Sequence, residues 1–179
     1  YRYLAFKIIQ NKYKYDKRYI KKIAKSITLK KLNKTKIYQP NVTKLASSIA
    51  KKKYVRNYLK KFQIDFIKQN NKVIIEGRDI ASKIMPNADL KLFFKCSLNE
   101  KAKRRLKEFK KLNSSMNLKE VKKALKLRDF HDKNRKESPL LFTKGAVLVD
   151  TTNLNLNQMN LKLKKLVQKE ILKKKHGSL

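Results

Sequence analysis

A chain of 179 residues with 41% hydrophobic side chains is long enough for one domain with a core of its own. Its single cysteine excludes an internal disulfide, no Cys/His cluster suggests a metal, and no apolar run is long enough to cross a bilayer, so with no leader pattern it reads as soluble and cytoplasmic. The net charge of +36 raises a nucleic-acid reading, which the even spread of basic residues along the chain weakens.

In chain order, Tyr1, Leu4, Ala5, Ile8 and Ile9 recur at helical spacing over residues 1–11. Asp16 is an N-cap candidate for a second helix with Tyr19, Ile20, Ile23 and Ile27 on one face. Residues 28–40 are lysine-rich and irregular and close at Pro40. Val42, Leu45, Ala46 and Ile49 predict a third helix, and Val55, Leu59, Phe62 and Phe66 a fourth; these stripes read as core. Val73-Ile74-Ile75 predicts a strand over 72–76, buried on both faces, with the charged residues around Gly77 just past its carboxyl end. Gly77 is one of three glycines, and its use is a turn or a close approach that a side chain would block.

A Pro-containing loop leads to a second strand, Leu90-Lys91-Leu92-Phe93-Phe94, after which Cys96 reads as a buried bystander. Ser97-Leu98-Asn99-Glu100 is a capping-box pattern opening a helix that carries Arg104 and Arg105 and breaks at Asn113-Ser114-Ser115. Asn117 with Glu120 starts another, running through Val121, Ala124 and Leu125 to Arg135, and Pro139 ends that region. Ala146-Val147-Leu148-Val149-Asp150-Thr151-Thr152 is a third strand, ending in polar residues. The last helix turns Met159, Leu163, Leu166 and Ile171 inward and frays into a basic tail. Strands alternating with helices predict an α/β domain with a largely parallel sheet.

Of the 49 basic residues, eight are arginine and 41 lysine. A chain so biased has exchanged arginine wherever any positive charge serves. The arginines that remain mark positions needing a planar fork for carboxylate or phosphate, which lysine does not supply. The 13 acids are scarce enough that Glu76, Asp79, Asp129, Asp132 and Asp150 stand out in the same way.

Arg128, Asp132 and Arg135 stand at i, i+4 and i+7, one face of a helix; alone they would read as a salt-bridged surface stripe. They do not stand alone. Tyr1-Arg2, Ala46-Ser47-Ser48-Ile49-Ala50, Val55-Arg56, Glu76-Gly77-Arg78-Asp79 and Pro86-Asn87-Ala88 precede them, with Lys103-Arg104-Arg105 closer by. Ser138-Pro139-Leu140 and Asp150-Thr151-Thr152 follow. This ordered set, over nearly the whole chain, resembles bacterial cytidylate kinase. The resemblance implies a P-loop NTPase of the nucleoside-monophosphate-kinase fold, a parallel sheet flanked by helices. The implied activity is ATP-dependent phosphorylation of CMP and dCMP, with Mg2+.

By that resemblance, Ser47, Arg56 and Asp79 match residues that hydrogen-bond cytosine, while Arg2, Arg78 and Arg135 match forks on the acceptor phosphate. Arg128 and Asp132 fall where sugar and lid meet, and Arg104 and Arg105 on the ATP-side lid. Arg78, Arg128 and Arg135 form the implied catalytic set, and Arg18 alone has no place. The chain is then a single partial domain, 1–179, with an acceptor-binding region at about 28–70 and a lid at about 104–135. It is expected to be a monomer, with nucleotides as partners and no membrane or obligate nucleic acid.

Departures from the family pattern are Ala81-Ser82 for Gly-Thr, Asn87 for aspartate and Lys53 for the proline before Val-Arg. With glycines at 77, 145 and 177 alone, no G-x-x-x-x-G-K-[ST] loop is present to cradle donor phosphates. In the family that loop, with the first strand, lies upstream of the Tyr-Arg pair, which implies a truncation of roughly 35–40 residues. The expectation is a gap or an abnormal pairing at the centre of the sheet, between 72–76 and 90–95, and no kinase activity from this chain alone. The alternatives are a basic RNA- or ribosome-binding protein, or a kinase for another monophosphate such as UMP.

Overall fold

The computed structural model describes residues 1–32, 35–111 and 115–176, without the Thr35 side chain. Four helices carry the main core. α1 (Arg2–Gln10) and α2 (Lys17–Lys25) come first, and Asp16 caps α2 by accepting from the Tyr19 N–H at 2.7 Å. The stretch read as irregular folds into two single turns, α3 (Leu29–Leu32) and a 3₁₀ turn (Thr35–Tyr38). Pro40 opens α4 (Pro40–Ile49) instead of closing a loop, since its missing N–H costs nothing at a helix start. α5 (Lys53–Lys68) follows. Leu4, Ile8, Ile20, Ile49, Val42 and Val55 are fully enclosed among these elements. Each contributes about 1.5–3 kcal/mol of transfer free energy.

Val73–Gly77 is not a strand: it runs without ladder partners, and the Ile74 side chain is fully exposed. A β-branched run supplies propensity, but a strand exists only when another backbone takes up its N–H and C=O groups. The sheet has two parallel strands, β1 (Lys91–Lys95) and β2 (Ala146–Asp150), with Phe93 opposite Leu148. Among the described residues β1 pairs with β2 alone, and with 72–76 not a strand the expected gap has no second strand to bound it. Val149 is buried on this sheet, whereas Phe94 and Leu148 stay half exposed.

Between the strands lie α6 (Leu98–Lys110) and α7 (Leu118–Asn134), packed through Ala102, Phe109 and Val121. The Asn117/Glu120 capping box forms completely. At Ser97 only half of one forms: Ser97 accepts from the Glu100 N–H, but the Glu100 carboxylate takes Arg104 instead. Of the residues read as a helix break, Asn113 and Ser114 lie outside the described residues. α8 (Leu156–His176) continues through the lysines expected to fray. Met159, Leu163 and Leu166 are half-buried, but Ile171 is exposed, because no described element covers that end of the helix. Cys96 is half-buried and unpaired.

Candidate functional site

Gly77 is used for close approach. A Cβ there would stand 2.8 Å from Ile80 Cγ1. The π-turn Ile80–Ile84 starts from the Asp79 carbonyl, which accepts from the Lys83 N–H at 2.8 Å. Arg78 and Asp79 leave this bend toward two different partners.

Asp79 turns inward to Arg56 of α5, whose Nη1 donates to Oδ2 at 2.8 Å. Arg56 Nε donates to the Ala50 carbonyl at 2.7 Å, past the end of α4, and its guanidinium lies 5.5 Å from the Tyr1 ring centroid. The pair is buried, so the fork is fixed before any ligand arrives. Burial pushes the Tyr1 phenol above its usual range, against the pull of Arg56.

Asp132, near the C-terminus of α7, is the second hub. Arg135 Nη1 donates to Oδ1 at 3.1 Å, and Arg135 Nε donates to the Ser138 carbonyl at 2.6 Å. Arg78 Nε lies 3.0 Å and Arg128 Nε 3.7 Å from Oδ2, as ion pairs without hydrogen-bond geometry. Three guanidinium groups thus converge on one buried carboxylate. Burial lowers the pKa of both Arg128 and Arg135, and Arg78 beside the first and Arg56 near the second add like-charge repulsion. Arg128 Nε, Arg135 Nη2 and Asp132 Oδ2 are buried without a hydrogen-bond partner, three of four such atoms among the described residues. Leaving buried groups of this kind unpaired costs about 1–3 kcal/mol each.

Arg104 and Arg105, adjacent in sequence, go to different places. Arg104 is tied to the end of β2: Nη2 donates to the Thr151 carbonyl at 2.7 Å and the Leu154 carbonyl at 3.1 Å, and Nε to Glu100 at 3.0 Å. Arg105 lies on the Phe109 ring, pairs with Glu108, and reaches the Tyr38 carbonyl and the Thr43 hydroxyl. Arg2 stacks on the same Tyr38, 4.9 Å from its ring centroid. Ser47 is half-buried on α4, one turn after Thr43, and Arg18 is exposed on α2.

The structure therefore brings Arg56 with Asp79, and Arg78, Arg128 and Arg135 with Asp132; through Arg135 the two groups feel each other's charge. Sequence reading missed Tyr38 and Thr43, for which the spacing of Thr43 four residues before Ser47 was the available signal.

A family model described as Cytidylate kinase matches residues 1–169. Among curated proteins, the "Cytidylate kinase" of Thermotoga neapolitana is 36% identical over 136 residues, 76% of this chain and 61% of that protein. The "Cytidylate kinase" of Caldicellulosiruptor saccharolyticus is 38% identical over 136 residues, 76% of this chain and 60% of the relative. That of Pediococcus pentosaceus is 40% identical over 123 residues, covering 69% and 54%. The chain thus spans 54–61% of the length of these relatives.

Proposed function

The chain belongs to the cytidylate kinase family and takes its nucleoside-monophosphate-kinase fold, and on that premise we propose that the cleft between α5 and α7 receives the phosphate acceptor, CMP or dCMP, for ATP-dependent conversion to CDP or dCDP. The observation that carries this reading is the trio of unsatisfied buried atoms: two arginine N–H donors beside one carboxylate oxygen. A ligand that satisfies all three brings an anionic group and a hydroxyl on one small molecule. A nucleoside monophosphate has both, its phosphate for Arg128 and Arg135 and a sugar hydroxyl for Asp132.

The Arg56–Asp79 pair supplies the base preference. Arg56 is held by Ala50 and Asp79, while the second oxygen of Asp79 accepts no hydrogen bond from a described side chain. A carboxylate oxygen accepts from the exocyclic amine of cytosine and repels the carbonyl that uracil carries at that position. Ser47 on α4 adds a polar contact at the same end. Rejection of the wrong base follows because it leaves buried polar groups unpaired.

In phosphoryl transfer the protein mainly positions the reactants and neutralises charge. In this reading Arg78, Arg128 and Arg135 hold the acceptor phosphate while one of its oxygens attacks the γ-phosphorus of ATP and the bond to the leaving ADP breaks, and they neutralise the charge that gathers on the transferring group. The sequence contains no glycine-rich lysine loop to cradle the donor phosphates, and among the described residues no group of three Asp, Glu, His or Cys side chains could hold a metal ion on its own. Calorimetric titration of this chain with CMP, AMP and cytidine tests the reading. CMP is expected to bind at least about tenfold tighter than AMP or cytidine, with weak salt dependence. Equal binding of all three would overturn it.

A further inference from the structure

Arg105 sits on α6, yet its side chain turns away from Arg104 toward the acceptor-side segment. Adjacent residues on a helix point about 100° apart, so the two do not share a task. The Arg105 guanidinium lies 4.3 Å from the Phe109 ring centroid, Nη1 pairs with Glu108, and Nη2 donates to the Tyr38 carbonyl at 3.4 Å and to Thr43 Oγ1 at 3.3 Å. With its side chain 15% exposed, the fork is held in one pose by the ring below and the carboxylate beside it.

What it grips matters. Tyr38 ends the 3₁₀ turn and carries Arg2 on its ring, so moving Tyr38 moves the seat of Arg2. Thr43 lies in the first turn of α4, and Ser47 follows one turn later on the same side. Arg2 and Arg105 both add to the like-charge repulsion that lowers the Arg128 pKa, after burial and Arg78.

We propose that Arg105 is a positioning residue for the acceptor side. From α6 it holds Tyr38 and Thr43, and through them sets the placement of Arg2 and Ser47 against α7. It is thereby the link through which α6 and the acceptor-binding segment move together. The consequence for CMP rests on the acceptor reading above; the contact itself does not.

The test uses this 179-residue chain with isotope-labelled arginine, whose eight side-chain Nε–H signals are few enough to assign. Thr43→Val removes the hydroxyl without touching any arginine. It is expected to shift the Arg105 and Arg2 signals and leave Arg18 in place. Thr43→Val, Arg105→Ala and the double variant are each expected to weaken CMP binding about five- to tenfold, and the double no more than Arg105→Ala alone, because Arg105→Ala already breaks the contact that Thr43→Val removes. Arg105→Lys keeps the charge but loses the fork, and is expected to match Arg105→Ala.

An Arg2 signal unmoved by Thr43→Val, additive losses in the double variant, or full affinity in Arg105→Lys would each overturn the proposal. If the unaltered chain fails to bind CMP, the acceptor reading falls, and the Arg2 and Arg105 signals still decide whether the contact positions Arg2.

Discussion

Arg56 and Asp79, 23 residues apart in sequence, meet at 2.8 Å in the interior, with the Arg56 Nε already committed to the Ala50 carbonyl. This joins the C-terminal end of α4, the first turns of α5 and the bend after Gly77 at one point. A pair with side chains only 7% and 12% exposed contributes little by existing and much by not being broken. Asp79→Asn is therefore expected to lose roughly 2–4 kcal/mol in urea unfolding, since an uncompensated guanidinium stays buried. The same variant is expected to lose its preference for CMP over UMP in calorimetric titration. An unchanged unfolding midpoint would mean the pair is not enclosed as described.

The scarcity of arginine makes a second test unusually clean. Arg128→Lys and Arg135→Lys keep the charge but lose the fork that reaches Asp132, the Ser138 carbonyl and the open donors beside them. Each is expected to weaken CMP binding by about tenfold or more. Arg18→Lys, on the exposed side of α2, is expected to bind CMP as the parent does. Equal effects at all three positions would show that residual arginines mark nothing.

Much of this architecture was legible because its signals are local. Asp16, Ser97 and Asn117 cap helices through atoms two or three residues away, and the sequence contains both partners. Arg128, Asp132 and Arg135 likewise meet as their i, i+4, i+7 spacing implies. Illegible were the features that depend on distant partners. Val73-Ile74-Ile75 has strand composition but no neighbour among the described residues to pair with. That Arg105 reaches Thr43, 62 residues away, follows from how α6 packs and from nothing in its local sequence.

Asp150 gives a pH-dependent handle at the end of β2. Its carboxyl is held below the usual carboxylate range by the Thr152 hydroxyl and by the Thr152 N–H, which donates at 2.9 Å. A depressed folded-state pKa means the contribution is present above the unfolded value, about 3.9, and is lost as pH falls through the folded one. Thr152→Val is expected to raise the Asp150 pKa toward the unfolded value, read by NMR titration of its carboxyl carbon. A titration curve that does not move would take the depression away from the hydroxyl and leave it to the Thr152 N–H, which valine keeps, and to the surrounding lysines.

Binding and turnover are expected to separate in this chain. The residues of the proposed acceptor site lie paired with one another, but the described residues include no donor-phosphate loop. Purified 1–179 is therefore expected to bind CMP without forming CDP from ATP and Mg2+, followed by a coupled ADP assay. Steady CMP-dependent ADP release would show that phosphoryl transfer needs no such loop here.

The stretch before Gly77 makes the sharpest structural prediction. Backbone amides exchange slowly when a partner carbonyl holds them and fast when only water does. Phe93 and Val149 belong to a parallel ladder, whereas Ile74 and Ile75 lack one and Ile74 is fully exposed. Hydrogen exchange at Ile74 and Ile75 is expected to be at least about a hundredfold faster than at Phe93 and Val149. If CMP binds as proposed, saturating CMP is expected to slow exchange around Arg78 and Asp79 without slowing Ile74. Matching protection across Val73–Ile75 and Lys91–Lys95 would mean that a third strand is paired after all, and that the bend delivering Arg78 and Asp79 is anchored from the sheet and not by its two ion pairs.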